Sequence, residues 1–68
     1  MTKFEMTEIF DEVFYTVMDE LGITGWWNLF DSEDFGIVED RIAKMFCVED
    51  VSEIEYFNEW FNEMAEDL

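Results

Sequence analysis

The sequence contains no histidine and no proline, and it has a single cysteine, Cys47. A chain with one cysteine forms no internal disulfide, and without histidine it lacks the usual mixed ligands of a zinc site. Nucleophilic catalysis of the Ser/His/Asp or Cys/His kind is excluded for the same reason. Because Cys47 follows the hydrophobic Phe46, we expect a half-buried thiol. We predict a protein that is not an enzyme and that uses no cofactor and no metal.

Positive charge is almost absent, because three cations stand against 19 aspartates and glutamates and leave a net charge of −16. Proteins that bind nucleic acid hold the phosphates mainly with lysine and arginine, so direct binding of DNA or RNA is excluded. Anionic membranes repel such a surface as well. No apolar run reaches the roughly 18 residues of a transmembrane helix, and the N-terminus lacks the features of a signal peptide. We predict a cytoplasmic protein without membrane contact.

Hydrophobic residues make up 50% of the chain and aromatic residues 19%, which is typical of a folded domain rather than of a disordered acidic tail. Sixty-eight residues form a single domain, residues 1–68, with one modest core. Eight phenylalanines and three tryptophans supply stability that other short chains obtain from disulfides or metals. The sequence neither requires nor excludes a homodimer.

Hydrophobic residues recur every three or four positions, which predicts an all-α fold. Thr2 and Glu5 have the spacing of a capping box, so a first helix begins near Lys3. Gly22 is expected to end this helix in the left-handed conformation, with Ile23 making the accompanying hydrophobic contact. The predicted inward face comprises Met6, Ile9, Phe10, Val13, Phe14, Val17 and Leu21.

Two further helices complete a predicted compact three-helix bundle. Residues 24–30 form either a short extra helical turn or an apolar connection. Asp31 or Ser32 is expected to cap the second long helix, and the capping-box spacing of Ser52 and Glu55 opens a third that ends near Asp67. The second helix would bury Phe35, Val38, Ile42, Met45 and Phe46. The third would bury Ile54, Phe57, Phe61, Met64 and Leu68, with Trp60 at the edge.

Rows of acidic residues lie opposite the predicted apolar faces of the first and third helices. At 100° per residue the rows comprise Glu5, Glu8, Glu12 and Asp19, and then Glu55, Glu59, Glu63 and Glu66. Solvated helix faces usually mix signs, and each like-charge neighbour at i,i+3 or i,i+4 costs about 0.2–0.5 kcal/mol. Some use of the charge is therefore favoured over a solvated surface alone.

The charge density of the predicted domain resembles that of a nucleic acid. A globule of this length should be about 28 Å across. Duplex DNA carries a charge every ~1.7 Å, so sixteen charges correspond to about 27 Å of duplex. A rigid body with carboxylates at helical spacing could occupy a basic groove built for phosphates. The predicted partner-binding residues are Glu5, Glu8, Glu12, Asp19, Asp31, Glu33, Asp34, Glu55, Glu59, Glu63 and Glu66.

In size, charge and helical pattern the whole chain resembles the small acidic inhibitors of phages and mobile elements, of the anti-restriction and anti-CRISPR type. The resemblance implies a DNA mimic that fills the nucleic-acid site of a basic bacterial defence protein, a nuclease or its recognition complex, in the host cytoplasm. No shared motif aligns, so the resemblance assigns no role to an individual residue.

Other interpretations remain open. One alternative is an acyl carrier protein, which the chain resembles in the order of MDELGI, Asp31 and Ser32, and an amphipathic helix. This resemblance implies a phosphopantetheine on Ser32. Glu33, however, replaces the leucine of that family's DSL motif, and only eight residues separate Ile23 from Ser32. Halophilic proteins are also acidic, but they usually contain fewer large hydrophobic residues. An acidic interaction module without mimicry is a further alternative.

Two short segments carry weaker indications. Adjacent Trp26 and Trp27 point 100° apart on a helix, so one is expected in the core and the other at a partner or dimer contact. The segment DSEDFG has part of the spacing of a calcium loop. Phe35 and Ile42 occupy positions that need oxygen ligands, so no specific calcium site is predicted.

Overall fold

Four α-helices and one 3₁₀ helix follow one another along the chain in a computed structural model, which describes residues 1–68. They are α1 (Lys3–Leu21), α2 (Trp26–Phe30), α3 (Phe35–Met45), the 3₁₀ helix (Val51–Glu53) and α4 (Phe57–Glu66). The predicted all-α bundle with a short extra helix is confirmed. α1 is the central element and contacts α2, α3 and α4. No helix combines the length and hydrophobicity needed to cross a bilayer.

The predicted ends of α1 are confirmed. Thr2 Oγ1 accepts a hydrogen bond from the Glu5 N–H at 3.2 Å, and Glu5 Oε1 accepts one from the Thr2 N–H at 3.0 Å. This reciprocal pair satisfies backbone donors that a helix start leaves without partners. At the other end Gly22 has the left-handed backbone conformation, with φ 68°, and the Ile23 N–H donates a hydrogen bond to the Met18 carbonyl at 2.9 Å. The capped helix is 19 residues long.

The predicted start of the second long helix is wrong, because α3 begins at Phe35. Asp31 instead ends α2. The Ser32 hydroxyl donates to the Leu29 carbonyl at 2.9 Å and accepts from the Asp34 N–H at 3.2 Å. Ser32 therefore stabilises the turn between α2 and α3. Since α2 continues to Phe30, residues 31–34 form the connection between α2 and α3.

The predicted start of the last helix is also wrong. The capping box is formed by Asp50 and Glu53, and it opens the 3₁₀ helix. The Asp50 carboxylate accepts from the Ser52 N–H at 2.8 Å, and Glu53 accepts from the Asp50 N–H at 3.1 Å. The chain then turns at Tyr56, which has φ 71°, before α4 begins. Hydrophobic spacing continues across this break, which explains the error.

The core contains fourteen buried side chains, all of them hydrophobic. The Phe10 ring is fully buried, and its centroid lies 5.4 Å from that of the Phe57 ring and 5.5 Å from that of the Trp60 ring. Phe14 joins this cluster through Phe35 at 6.1 Å and Trp60 at 6.2 Å. Trp60 is only 3% exposed, so its predicted place at the helix edge is wrong. Tilted and edge-to-face aromatic contacts stabilise this interior, whereas many other small domains depend on disulfides for stability.

Three residues predicted on inward faces are exposed instead. Leu21 and Met45 are the last residues of α1 and α3, and Leu68 lies beyond the end of α4. A helix end extends past the neighbour that it packs against, so its apolar residues reach solvent even when their spacing is correct. Ala43 is buried on α3, although the predicted face of that helix omitted it.

Cys47 is exposed, so the predicted half-buried thiol is wrong. It has φ 56° and follows the C-terminal end of α3. The Cys47 N–H binds the Lys44 carbonyl at 3.2 Å, and the Val48 N–H binds the Ala43 carbonyl at 3.0 Å. This is the pattern of a Schellman cap, with cysteine at the position that Gly22 occupies after α1. The two longest helices, α1 and α3, therefore end in the same way.

Candidate partner-binding surface

All eleven acidic residues predicted to bind a partner are exposed, but they occupy three separate regions. Four lie on α1, three in the turn after α2, and four in or just before α4. By region they are Glu5, Glu8, Glu12 and Asp19; Asp31, Glu33 and Asp34; and Glu55, Glu59, Glu63 and Glu66. Only the first group lies on one face of one helix without an ion pair.

The row on α1, formed by Glu5, Glu8, Glu12 and Asp19, lies opposite the buried face of the helix. At 100° per residue its four members fall within a sector of about 60°, and they span about 21 Å along the helix axis. No lysine or arginine nitrogen lies within 4.0 Å of any of these carboxylates. We call these four residues the α1 row.

Glu5 serves both the helix cap and the α1 row. The hydrogen bond from the Thr2 backbone N–H, and then the one from the Thr2 hydroxyl, lower the pKa of the Glu5 carboxyl below its ordinary value. Glu5 is therefore ionised throughout the neutral range. The cap holds this carboxylate at one position at the start of the row.

The predicted helical row on α4 is interrupted. Glu55 precedes the turn at Tyr56 and is not on the helix. The Lys3 ammonium lies 3.1 Å from the Glu59 carboxylate and 3.1 Å from that of Glu63. Hydrogen bonds to Glu59 and then Glu63 raise the pKa of Lys3. Lys3 thus offsets charge on α4 and links it to the start of α1.

The other two cations are also engaged in ion pairs. The Arg41 guanidinium binds both carboxylate oxygens of Glu20, and it lowers the pKa of that carboxyl through this hydrogen bonding. Lys44 lies 2.9 Å from Asp40, one turn earlier on α3. Every lysine and arginine is therefore paired.

The tryptophan pair divides as expected, with one ring packed and the other exposed. Trp26 is half-buried and packs against Phe30, with ring centroids 5.9 Å apart. Trp27 is 54% exposed. A Cβ atom at Gly25, which has φ 81°, would lie only 2.8 Å from the Trp27 ring. The indole of Trp27 therefore lies directly over the Gly25 backbone.

Ser32 is half-buried, and its hydroxyl is engaged in the two hydrogen bonds of the α2–α3 turn. Attachment of a prosthetic group would break the bond that this hydroxyl donates to the Leu29 carbonyl. This geometry favours a structural role for Ser32. No group of three or more acidic or cysteine side chains is arranged to hold a metal ion.

Two features of the surface were not predicted from the sequence. Asp67 lies near Asp31 and Trp27 around one cavity, and the i,i+4 spacing of Trp27 and Asp31 was a usable signal for part of it. Burial, and then the charge of Asp50, raise the pKa of the Glu39 carboxyl. No pattern in the sequence indicates that Asp50 lies near Glu39, because their proximity depends on how the chain turns after α3.

Comparison with protein-family models, with curated proteins and with solved structures finds no match to this chain.

Proposed function

We propose that this protein is a DNA-mimic inhibitor, which binds the basic nucleic-acid-binding surface of another protein and blocks access of DNA or RNA. The observation that carries the proposal is the α1 row, four exposed carboxylates on one helix face with no cation within 4.0 Å. A solubilising coat needs charge but needs no unopposed row. The three lysine and arginine side chains form their ion pairs with other carboxylates, although Arg41 and Lys44 line one cavity together with Glu12.

The overall charge density supports the same proposal. The molecule measures 30 × 24 × 18 Å, and dividing the longest extent by sixteen net charges gives about 1.9 Å per charge. Duplex DNA carries one charge per ~1.7 Å of axis. The α1 row spans about 21 Å, the length of roughly six base pairs at ~3.4 Å each, and its four carboxylates compare with about twelve phosphates on that length of duplex. A protein surface that holds several phosphates could therefore contact the whole row.

The mechanism is competition for the same cations. Lysine and arginine side chains that normally contact phosphates would contact Glu8, Glu12 and Asp19, and both partners would release counterions on binding. The field of so many like charges attracts a basic surface over roughly a Debye length, so association should be fast and sensitive to salt. The backbone hydrogen bonds of α1 fix the carboxylate spacing before contact, which reduces the entropy lost on binding.

The proposed target is a bacterial defence protein of the restriction or CRISPR-Cas type, acting in the host cytoplasm. This assignment rests on the resemblance to small phage-type acidic inhibitors. In this role the protein does no chemistry and uses no cofactor. An acidic interaction module without mimicry would share the surface but would bind a site that does not hold nucleic acid.

A pull-down from bacterial lysate tests the proposal. The tagged protein should retain a nucleic-acid-binding protein at low salt, and added duplex DNA or structured RNA should displace it in proportion to concentration. A variant with Glu8, Glu12 and Asp19 changed to lysine is the matched bait control and should retain much less. Retention that neither nucleic acid displaces would contradict mimicry and would favour the interaction module.

A further inference from the structure

A cavity of about 480 Å³ lies between α2 and the C-terminal end of α4. Its walls are largely aromatic and acidic, and its volume lies in the range of roughly 300–1,000 Å³ that is typical of ligand sites. The residues lining it are Trp26, Trp27, Asn28, Asp31, Asp67 and Leu68. We call this cavity the tryptophan cup.

The exposed ring of the cup is held in a fixed position. The Trp27 indole lies over Gly25, where no side chain could fit, and it meets Trp26 edge-to-face with ring centroids 6.2 Å apart. The Asn28 amide donates to the Thr24 carbonyl at 2.7 Å, which stabilises the short helix that carries both rings. Trp27 remains 54% exposed despite these contacts. Such a preordered aromatic surface loses little entropy on binding.

The charge of the cup is negative and has no internal compensation. Asp31 and Asp67 both line it, and neither forms an ion pair. No lysine or arginine contributes to the walls. An occupant that complements the cup must therefore carry positive charge and a flat surface that stacks on indole.

We infer that the tryptophan cup receives an arginine side chain of the basic partner. The planar guanidinium stacks on the Trp27 face while its N–H groups donate to the carboxylates of Asp31 and Asp67. Lysine fits less well, because its ammonium is compact, strongly hydrated and unable to stack. The inference rests on the proposed function for the nature of the partner, and it adds a directional anchor that phosphate imitation alone does not supply.

The test uses two peptides as probes, acetyl-Gly-Arg-Gly-amide and acetyl-Gly-Lys-Gly-amide, at constant ionic strength. Binding is followed by NMR through the Trp27 indole N–H and the backbone amides of residues 26–31. The arginine peptide should shift these signals saturably and bind about three- to fivefold more tightly than the lysine peptide. The paired change Asp31→Asn and Asp67→Asn should weaken arginine binding by at least a similar factor.

A matched control removes two other charges, through Asp34→Asn and Glu66→Gln, and should leave arginine binding nearly unchanged. Equal affinity for the two peptides, equal loss in both variants, or no shift of the Trp27 indole would each overturn the inference. The probes require no partner protein, so these results are independent of the pull-down. If the cup does not bind arginine, the proposal of mimicry by the α1 row is unaffected. If nucleic acid does not displace the partner, the inference of arginine binding in the cup is likewise unaffected.

Discussion

The indole N–H of Trp60 donates a 2.9 Å hydrogen bond to the Asp11 carboxylate, and this bond joins α4 to α1. Trp60 is 3% exposed, and its ring contacts Phe10, Phe14 and Phe57. The same residue therefore fills the core and satisfies its one polar atom at the surface. That combination lets a large aromatic residue occupy the interior without an unpaired donor.

Replacing Asp11 with alanine should destabilise the fold by about 1–3 kcal/mol, because it removes the acceptor of the Trp60 indole N–H. Urea denaturation measures the change. In a Trp60→Phe background the same Asp11→Ala change should cost much less, since no donor remains. Equal costs in the two backgrounds would contradict a direct coupling between these residues.

Replacing Lys3 with methionine should lower the melting temperature at low salt. The change removes the ammonium that lies between Glu59 and Glu63, so these two carboxylates repel each other without compensation. The loss should fade near ~1 M NaCl, where the Debye length is about 3 Å. Lys44→Met, whose partner is a single carboxylate on its own helix, is the control and should have a smaller effect. A loss that persisted in high salt would indicate packing rather than charge.

Replacing Glu39 with glutamine should stabilise the fold at pH 7. Burial and the nearby charge of Asp50 raise the pKa of the Glu39 carboxyl, so its ionised form costs stability above that pKa. The gain should disappear near pH 4, below the ordinary glutamate pKa of about 4.3, where Glu39 is protonated in the folded protein. Urea midpoints at both pH values measure the effect. The neighbouring Glu49→Gln is the control, and an equal gain there would point to general charge repulsion.

Replacing Cys47 with glycine should stabilise the fold by up to about 1 kcal/mol. Cys47 occupies the left-handed position of the cap after α3, which disfavours any residue with a side chain. Glycine removes that strain, although it gains entropy in the unfolded chain. The control is Gly22→Ala at the equivalent position after α1, which should destabilise. A loss of stability in Cys47→Gly would show that the thiol makes a contact of its own.

The sequence predicted the parts of this fold that depend on neighbouring residues. The capping box of Thr2 and Glu5, the left-handed Gly22 and the acidic face of α1 are all local patterns, and the structure contains each of them. Some errors are local, because neither the cap expected at Asp31 or Ser32 nor the capping-box spacing of Ser52 and Glu55 begins a long helix. The other errors concern residues whose place depends on the rest of the chain. Trp60 is buried because four other aromatic rings surround it, and Lys3 reaches Glu63 across 60 positions of sequence.

In the candidate site, too, features within one helix were predicted from the sequence, and features that depend on contacts between distant residues were not. The α1 row was predictable because its members repeat along one regular helix. The row on α4 was not, since α4 begins only after the turn at Tyr56 and leaves Glu55 outside the helix, although the acidic spacing continues without interruption. The cup needed a contact between α2 and the end of α4, which no spacing reveals. Sequence periodicity describes one helix at a time, whereas a binding surface depends on how helices meet.

Charge reversal on the α1 row tests the central claim most directly. A variant with Glu8, Glu12 and Asp19 changed to lysine leaves the Glu5 cap intact and should remain fully helical by circular dichroism. The matched control reverses Glu33, Glu49 and Glu55, which lie outside the row, although Glu33 and Glu55 belong to the wider set of predicted partner-binding residues. Both variants change the net charge from −16 to about −10.

Affinity for the captured nucleic-acid-binding partner is measured for both variants at low salt. If α1 presents a spaced imitation of phosphates, the row variant should bind at least about tenfold more weakly than the control, because it places repulsive charges where the partner's cations dock. If the two variants bind equally, the position of the carboxylates does not matter, and the acidic surface is a coat rather than a mimic.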